Sequence, residues 1–280
     1  MSNIITMLQR RIIIHTVTFL FSFIFLFGLL LPTTSSGQVR IDKIIYNKSI
    51  RIGISGNQPP FSIMSKNDHL IGFEIDLGKR LASGMGIQVE FVQLPFPELL
   101  PAMESNEVDI IMSGMTMTTT RNLKVAFIGP YITTGKSLLT KSTKYANIAD
   151  VSELDSKKIS IATLKGSTSE AFAKSYMPNA ELVLVDDYQD AIDMVRSGEI
   201  SLMLADYAEC LYASLRFSGD NLQVLNRTMT NERIGIAIPS DDPLLINILQ
   251  NFLGEIEASG ELAEMESKWF HSGSWMLEVK

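Results

Sequence analysis

The chain has 280 residues, 46% of them hydrophobic and 20% charged, the balance of a globular protein with one or two cores and not of a disordered one. Its 24 Lys and Arg face 31 Asp and Glu, a formal charge of −7. That acidic body shows no basic patch interleaved with aromatics, which argues against nucleic acid as a partner.

The first 37 residues read differently from the rest. Arg10 and Arg11 precede an apolar run, densest over Phe19–Leu31, that gives way to the small polar stretch PTTSSGQ. A charged start, an apolar middle and a small-residue exit read as a secretory signal peptide cut near Gly37–Gln38, and so as a periplasmic protein. An uncleaved N-terminal membrane anchor is the alternative, since the run counted from Ile12 is about long enough to span a bilayer. His15, Thr16 and Thr18 interrupt it early. Loss of residues 1–37, which hold two arginines and no acid, takes the formal charge from −7 to −9. Cys210 is the only cysteine, so no disulfide forms within the chain and the core must hold the fold.

After residue 44 the chain alternates strand-like and helix-like segments. IRIGIS (50–55) alternates and is β-branched, and 56–60 is a turn cluster. Phe73, Leu77, Leu81 and Met85 recur every four residues and predict a helix with one apolar stripe. A strand over 89–94 follows, then a helix carried by Phe96, Leu99, Leu100 and Met103, then a buried strand over 108–112. The same order returns: a strand over 158–163, a helix from Gly166 capped by Ser167 or Thr168, and a strand over 182–185. Tyr188, Ala191, Ile192 and Val195 then predict a helix, followed by a strand over 202–204. The two passages register at an offset of 92, with Phe96 on Tyr188, Ser105 on Ser197, Glu107 on Glu199 and Gly114 on Asp206. Asp241, Asp242 and Pro243 open a last helix with Leu245, Ile248, Leu249, Phe252 and Ile256 on its apolar face.

The pattern predicts an α/β protein of two similar lobes, the first over 44–137 with a return segment over 226–272, the second over 138–225. Crossovers at 137–141 and 225–238 would form a two-strand hinge on which the lobes close. Ligands of open α/β sheets gather at the carboxyl ends of strands. SGMTMTTTR (113–121) and Asp206 occupy equivalent strand ends in the two halves. Facing lobes would therefore line one central cleft with them.

A free amino acid needs a planar double donor for its carboxylate and an anion for its ammonium. Arginine's fork matches both carboxylate oxygens, which makes Arg121 the candidate for the first and Asp206 for the second. The Thr116 hydroxyl and the Gly114 carbonyl would complete the ammonium shell. The free N–H groups of Gly166, Ser167 and Thr168 open a helix and are natural carboxylate donors. Taken singly, these signals are weak. An arginine after a strand is most often solvated or salt-bridged, and an aspartate at a strand end is usually a helix cap, here before YAECLYASL.

The stretches IRIGISGNQPPFSI (50–63), GFEIDLGKRLA (72–82), SGMTMTTTR (113–121) with VAFIGPY (125–131), KISIATLKGST (158–168) and GEISLMLAD (198–206) carry a resemblance. From about Ser49 to His271 the chain resembles the bacterial extracellular solute-binding proteins of the family that serves polar amino-acid uptake transporters. The resemblance implies a periplasmic binding protein-like fold, two α/β lobes joined by a two-strand hinge around a central ligand cleft. It implies that Arg121 holds an α-carboxylate with the backbone N–H groups of Thr116 and Thr168, and that Asp206 holds an α-ammonium. The implied partners are an amino acid and an inner-membrane ABC transporter permease, the chain acting as a monomer.

The departures bear on the ligand. Relatives that bind basic amino acids often carry an acid in the first loop and an aromatic just before the proline pair. Ser55 and Gln58 stand at those places, while Phe96 keeps an aromatic wall and Phe61 supports the loop. Burying a cationic side chain without a partner is costly, so the expectation is a neutral ligand.

Two other classes stand against this reading. The same fold hosts dehydratases acting on aromatic amino-acid precursors, for which Lys165 or Glu170 would be the acid or base. A tethered sensory or accessory domain is the other. No HExxH and no nucleophile elbow is present, and His69 and His271 stand apart. The expectation is a binding protein without catalytic residues, metal or cofactor.

Overall fold

The computed structural model describes residues 39–280. The expected signal peptide, its cleavage point and the alternative anchor lie outside the described residues. Among the described residues no helix is long and apolar enough to cross a membrane.

Two five-stranded sheets organise the chain. The first runs β5-β1-β6-β13-β7, from β1 (Ser49–Ile54), β5 (Gln88–Gln93), β6 (Ile110–Ile111), β7 (Ala126–Thr134) and β13 (Glu232–Ile238). The second runs β10-β9-β11-β8-β12, from β8 (Lys136–Thr140), β9 (Ser160–Leu164), β10 (Glu181–Val185), β11 (Leu202–Asp206) and β12 (Gln223–Val224). In each sheet three strands are parallel and the next is antiparallel to them. The chain passes from one sheet to the other at Gly135 and again between β12 and β13. The first crossing thus falls two residues before the expected segment 137–141, all of which but Lys141 lies inside β8. The second is shorter than 225–238, because 232–238 pairs with β7 as a full strand.

The internal repeat is written in strand register. Ile52 and Gly53 pair with Ile110 and Ile111, and Ile161 and Ala162 pair with Leu202 and Met203. Ile110 to Leu202 and Ile111 to Met203 keep the offset of 92. The first lobe is longer between its opening strands. It spends those residues on a small antiparallel sheet of β2 (Asn57–Gln58), β3 (Ser62–Met64) and β4 (Leu70–Ile71).

Helices cover both faces. Helix α1 (Val39–Asn47), beyond the sequence expectation, buries Ile41 and Ile44 in the first lobe and exposes Tyr46. Helix α2 (Phe73–Met85) buries Phe73, Leu77 and Leu81 and stops at Gly86. The short helices α3 (Leu99–Glu104) and α4 (Thr119–Asn122) flank β6. In the second lobe lie α5 (Thr168–Tyr176), α6 (Tyr188–Ser197) and α7 (Tyr207–Arg216). Helix α8 (Pro243–Ser259) returns to the first lobe. It starts on Asp242, whose carboxylate accepts the N–H of Leu245 at 3.0 Å and that of Ile41 at 2.9 Å. One aspartate therefore caps α8 and fastens α1 to it.

Candidate functional site

The strand ends of the two sheets meet at one narrow cavity. From the first lobe come Gln58, Phe96, Gly114, Thr116 and Arg121; from the second, Ser167, Thr168 and Asp206. These are sequence candidates brought to one place. Two others lie elsewhere. Phe61 is wholly buried in the first-lobe core, edge-on to Phe270 at 5.2 Å between ring centroids. Ser55 is buried behind the cleft, its N–H donating to Ser113 Oγ at 2.9 Å and its carbonyl accepting from Gln93. Its hydroxyl and Gln58 Oε1 have no hydrogen-bond partner in the protein.

Arg121 reaches across the cleft. Thr118 caps α4 by accepting the Arg121 N–H at 3.2 Å, which sets the side chain's direction. The guanidinium donates to the Thr116 carbonyl at 2.9 Å and to the second-lobe Gly166 carbonyl at 3.2 Å, and lies 5.5 Å from the centre of the Phe96 ring. Among the described residues no carboxylate lies within ion-pair distance of it. Burial lowers its pKa from the ordinary arginine value, and the charges of Glu232 and Asp206 oppose that shift.

Gly114 turns the chain here with φ +56°, a conformation that costs an L-residue about 1–2 kcal/mol. A Cβ on it would stand 2.5 Å from Gln58 Nε2. Its N–H donates to the buried Glu74 carboxylate at 2.7 Å, which also accepts the Tyr131 hydroxyl. Burial raises Glu74 to a pKa of about 7, against the lowering effect of these two donors.

The second lobe offers a helix start. Ser167 caps α5, accepting the Glu170 N–H at 3.1 Å, and Thr168 and Ser169, which line the cavity, bring the positive end of the helix dipole beside it. The Gly166 and Ser167 N–H groups, expected to be free, donate instead to Glu170 and to the Leu164 carbonyl. Thr168 Oγ1 donates to Glu232 at 3.2 Å and lies 3.2 Å from Thr116 Oγ1. With its proton on Glu232, Thr168 accepts from Thr116, and the two lobes share a hydroxyl chain.

Asp206 stands at the N-cap position of α7, yet its side chain makes no capping hydrogen bond. It accepts instead from Lys136 Nζ at 2.9 Å. Lys136 is 2% exposed and also lies 3.6 Å from Glu232. Burial raises the Glu232 pKa, but the Lys136 charge and threonine hydroxyls outweigh it and hold the carboxyl low. Sequence reading missed Lys136 and Glu232, along with Leu164, Ser169 and Tyr188, which complete the lining. Tyr188 had a signal, as the repeat partner of Phe96. Lys136 had only its place at the head of an apolar strand.

The dehydratase candidates are otherwise engaged. Lys165 is exposed, and Glu170 accepts the Gly166 N–H at 2.7 Å and pairs with Lys174 at 2.5 Å.

The chain is similar to known proteins over most of its length. The ABC transporter arginine-binding protein 1 of Escherichia coli K12 is 28% identical over 226 residues, 80% of this chain and 91% of that protein. The cyclohexadienyl dehydratase of Pseudomonas aeruginosa is 26% identical over 172 residues, 61% of this chain and 64% of that enzyme. Among solved structures, the ancestral amino acid-binding protein AncCDT-1, a precursor of cyclohexadienyl dehydratase, superposes with a TM-score of 0.75 at 33% identity. It covers 82% of this chain and 99% of that one. A lysine-complexed putative binding component of an ABC transporter from Wolinella succinogenes superposes with a TM-score of 0.78 at 30% identity, again over 82% and 99%. The family model for bacterial extracellular solute-binding proteins, family 3, matches residues 50–272, and the chain belongs to that family.

Proposed function

We propose that this chain is the periplasmic substrate-binding component of an ABC-type uptake system for a neutral amino acid. Arg121 and the N–H groups opening α5 hold the α-carboxylate, Asp206 holds the α-ammonium, and a membrane permease receives the ligand. The observation that carries this reading is the meeting of Arg121, free of any carboxylate partner among the described residues, with a helix N-terminus and Asp206 at one cavity between two lobes. A fork of donors and an anion on opposite walls match the two ends of a zwitterion. The test is a thermal-shift screen of the purified protein against the twenty amino acids, then calorimetry. A ligand at a thousand times its dissociation constant stabilises the folded form by about 4 kcal/mol. A screen with no shift would remove the reading.

One observation favours a second reading, catalysis. Glu209 lies on the first turn of α7 just past Asp206, is 1% exposed, and has no hydrogen-bond partner for either carboxyl oxygen. Burial, with the charges of Asp206 and Asp187, holds its pKa well above the carboxylate range. A buried carboxyl whose surroundings favour the protonated form suits the general acid that a departing hydroxyl requires. Incubation with prephenate or arogenate decides the matter. Turnover abolished by Glu209→Gln would establish a dehydratase, and no turnover above buffer would dismiss it.

A further inference from the structure

The cleft holds one more cation than the recognition of a zwitterion calls for. Arg121 faces the place of the carboxylate. Lys136 comes from β8, at the crossing between the lobes, and its ammonium lies 2.9 Å from Asp206 and 3.6 Å from Glu232, almost wholly shielded from water. Asp206 Oδ1 is therefore already committed, and what remains for a ligand ammonium is Oδ2. We propose that Lys136 sets the charge of the ligand: by neutralising one of the two carboxylates, it fits the cleft to a zwitterion with an uncharged side chain and turns away one with a further positive charge. The inference rests on the amino-acid-binding reading above.

The charges balance in support. Arg121 and Lys136 carry two positive charges and Asp206 and Glu232 two negative ones. Glu209, 1% exposed with neither carboxyl oxygen hydrogen-bonded, sits in surroundings that favour its protonated form. A zwitterion adds no net charge to this set. A cationic amino acid would leave one positive charge uncompensated beside the buried Lys136 and Asp206, where unpaired charge is strongly disfavoured. Removing the Lys136 ammonium leaves the set one charge negative and open to a cation. Removing the Glu232 charge leaves it one charge positive and still less tolerant. Selectivity would then come from a repulsive group built into the site. Lys136 is well placed for this, because it is 2% exposed and lies within reach of both Asp206 and Glu232.

The test uses ligand pairs matched in shape and differing in charge. These are L-citrulline with L-arginine, and L-homoserine with L-2,4-diaminobutyrate, titrated by calorimetry into the full chain. The wild type should bind the neutral member of the fitting pair at least tenfold tighter. Lys136→Met and Lys136→Gln should move the ratio toward the cationic member by at least tenfold. Glu232→Gln should move it the other way, which keeps the test decisive should either lysine variant fold poorly. A wild type that binds the cation as tightly as its neutral partner overturns the inference. Ratios within twofold of wild type in the lysine variants also overturn it, leaving amino-acid binding intact. A wild type that binds none of the twenty amino acids removes the underlying reading and the inference with it.

Discussion

The Glu74 carboxylate, wholly buried in the first lobe, accepts the backbone N–H of Gly114 at 2.7 Å. A side chain from the helix after the small sheet thus fixes the loop that feeds Thr116 and Arg121 into the cleft. Its other oxygen has no partner, and burial lifts its pKa from 4.5 to about 7.

That shift has a sign. Between about pH 4.5 and 7 the unfolded chain has released the proton and the folded protein has kept it, so stability falls as pH rises through this window. At about 1.4 kcal/mol per unit, this group alone removes about 3 kcal/mol between those limits. Glu74→Gln keeps an oxygen for Gly114 and Tyr131 and does not titrate. Urea midpoints measured from pH 4.5 to 7.5 should fall with pH less steeply in this variant than in the wild type. Parallel profiles would show that Glu74 ionises freely.

Arg121 donates only to two backbone carbonyls. Replacing it with Met should leave the melting temperature of the unliganded protein nearly unchanged. Binding should suffer far more. Two charge-assisted hydrogen bonds to a carboxylate, at about 1.5–3 kcal/mol each, correspond to about 10²–10⁴-fold in affinity. Calorimetry on the ligand found in the screen reads this directly, and a loss under threefold would place the carboxylate elsewhere.

Gly114→Ala puts a methyl group 2.5 Å from Gln58 Nε2 at a backbone φ of +56°. The strain should lower stability by about 1–2 kcal/mol. Gln58 must also leave its place in the cavity wall. Affinity should therefore fall together with the urea midpoint, whereas Gln58→Ala should lower affinity and spare the midpoint. Unchanged affinity in both would separate Gln58 from recognition.

The sequence carried the lobes and much of the cleft, for a physical reason. Strand and helix periods are local, and a repeat at a fixed offset tells which strand ends are equivalent; Gly114 and Asp206 were found that way. Arg121 was visible because an apolar run emptied into small polar residues before it. Ser55 was placed by its match to a family position and Phe61 by its nearness to the first loop, and neither says which side of a loop faces a cleft. Lys136 and Glu232 were hidden because their meaning lies in pairing. Lys136 meets Asp206 seventy positions along the chain, and nothing in the residues around either one announces the partner. Glu74 carried no signal in the sequence, since its donor, the Gly114 N–H, is backbone and leaves no mark in composition.

The C-terminal segment makes the last prediction. Trp275 is 4% exposed, donates through Nε1 to the Trp269 carbonyl at 2.9 Å, and stacks on Tyr212 at 5.6 Å between ring centroids and 16° between planes. Trp269 in turn donates to Asp76 on α2 at 2.8 Å. Tyr212 belongs to α7 in the second lobe, so the indole joins the tail of one lobe to a helix of the other. Trp275→Ala removes a large buried ring, which costs about 3–5 kcal/mol in a core. Part of that loss should appear as looser docking, because Tyr212 loses its stacking partner. Amide exchange in α7 should quicken in the unliganded variant more than exchange in α5, which does not touch the tail. Equal changes in the two helices would mean that Trp275 supports the whole fold and holds no lobe to the other.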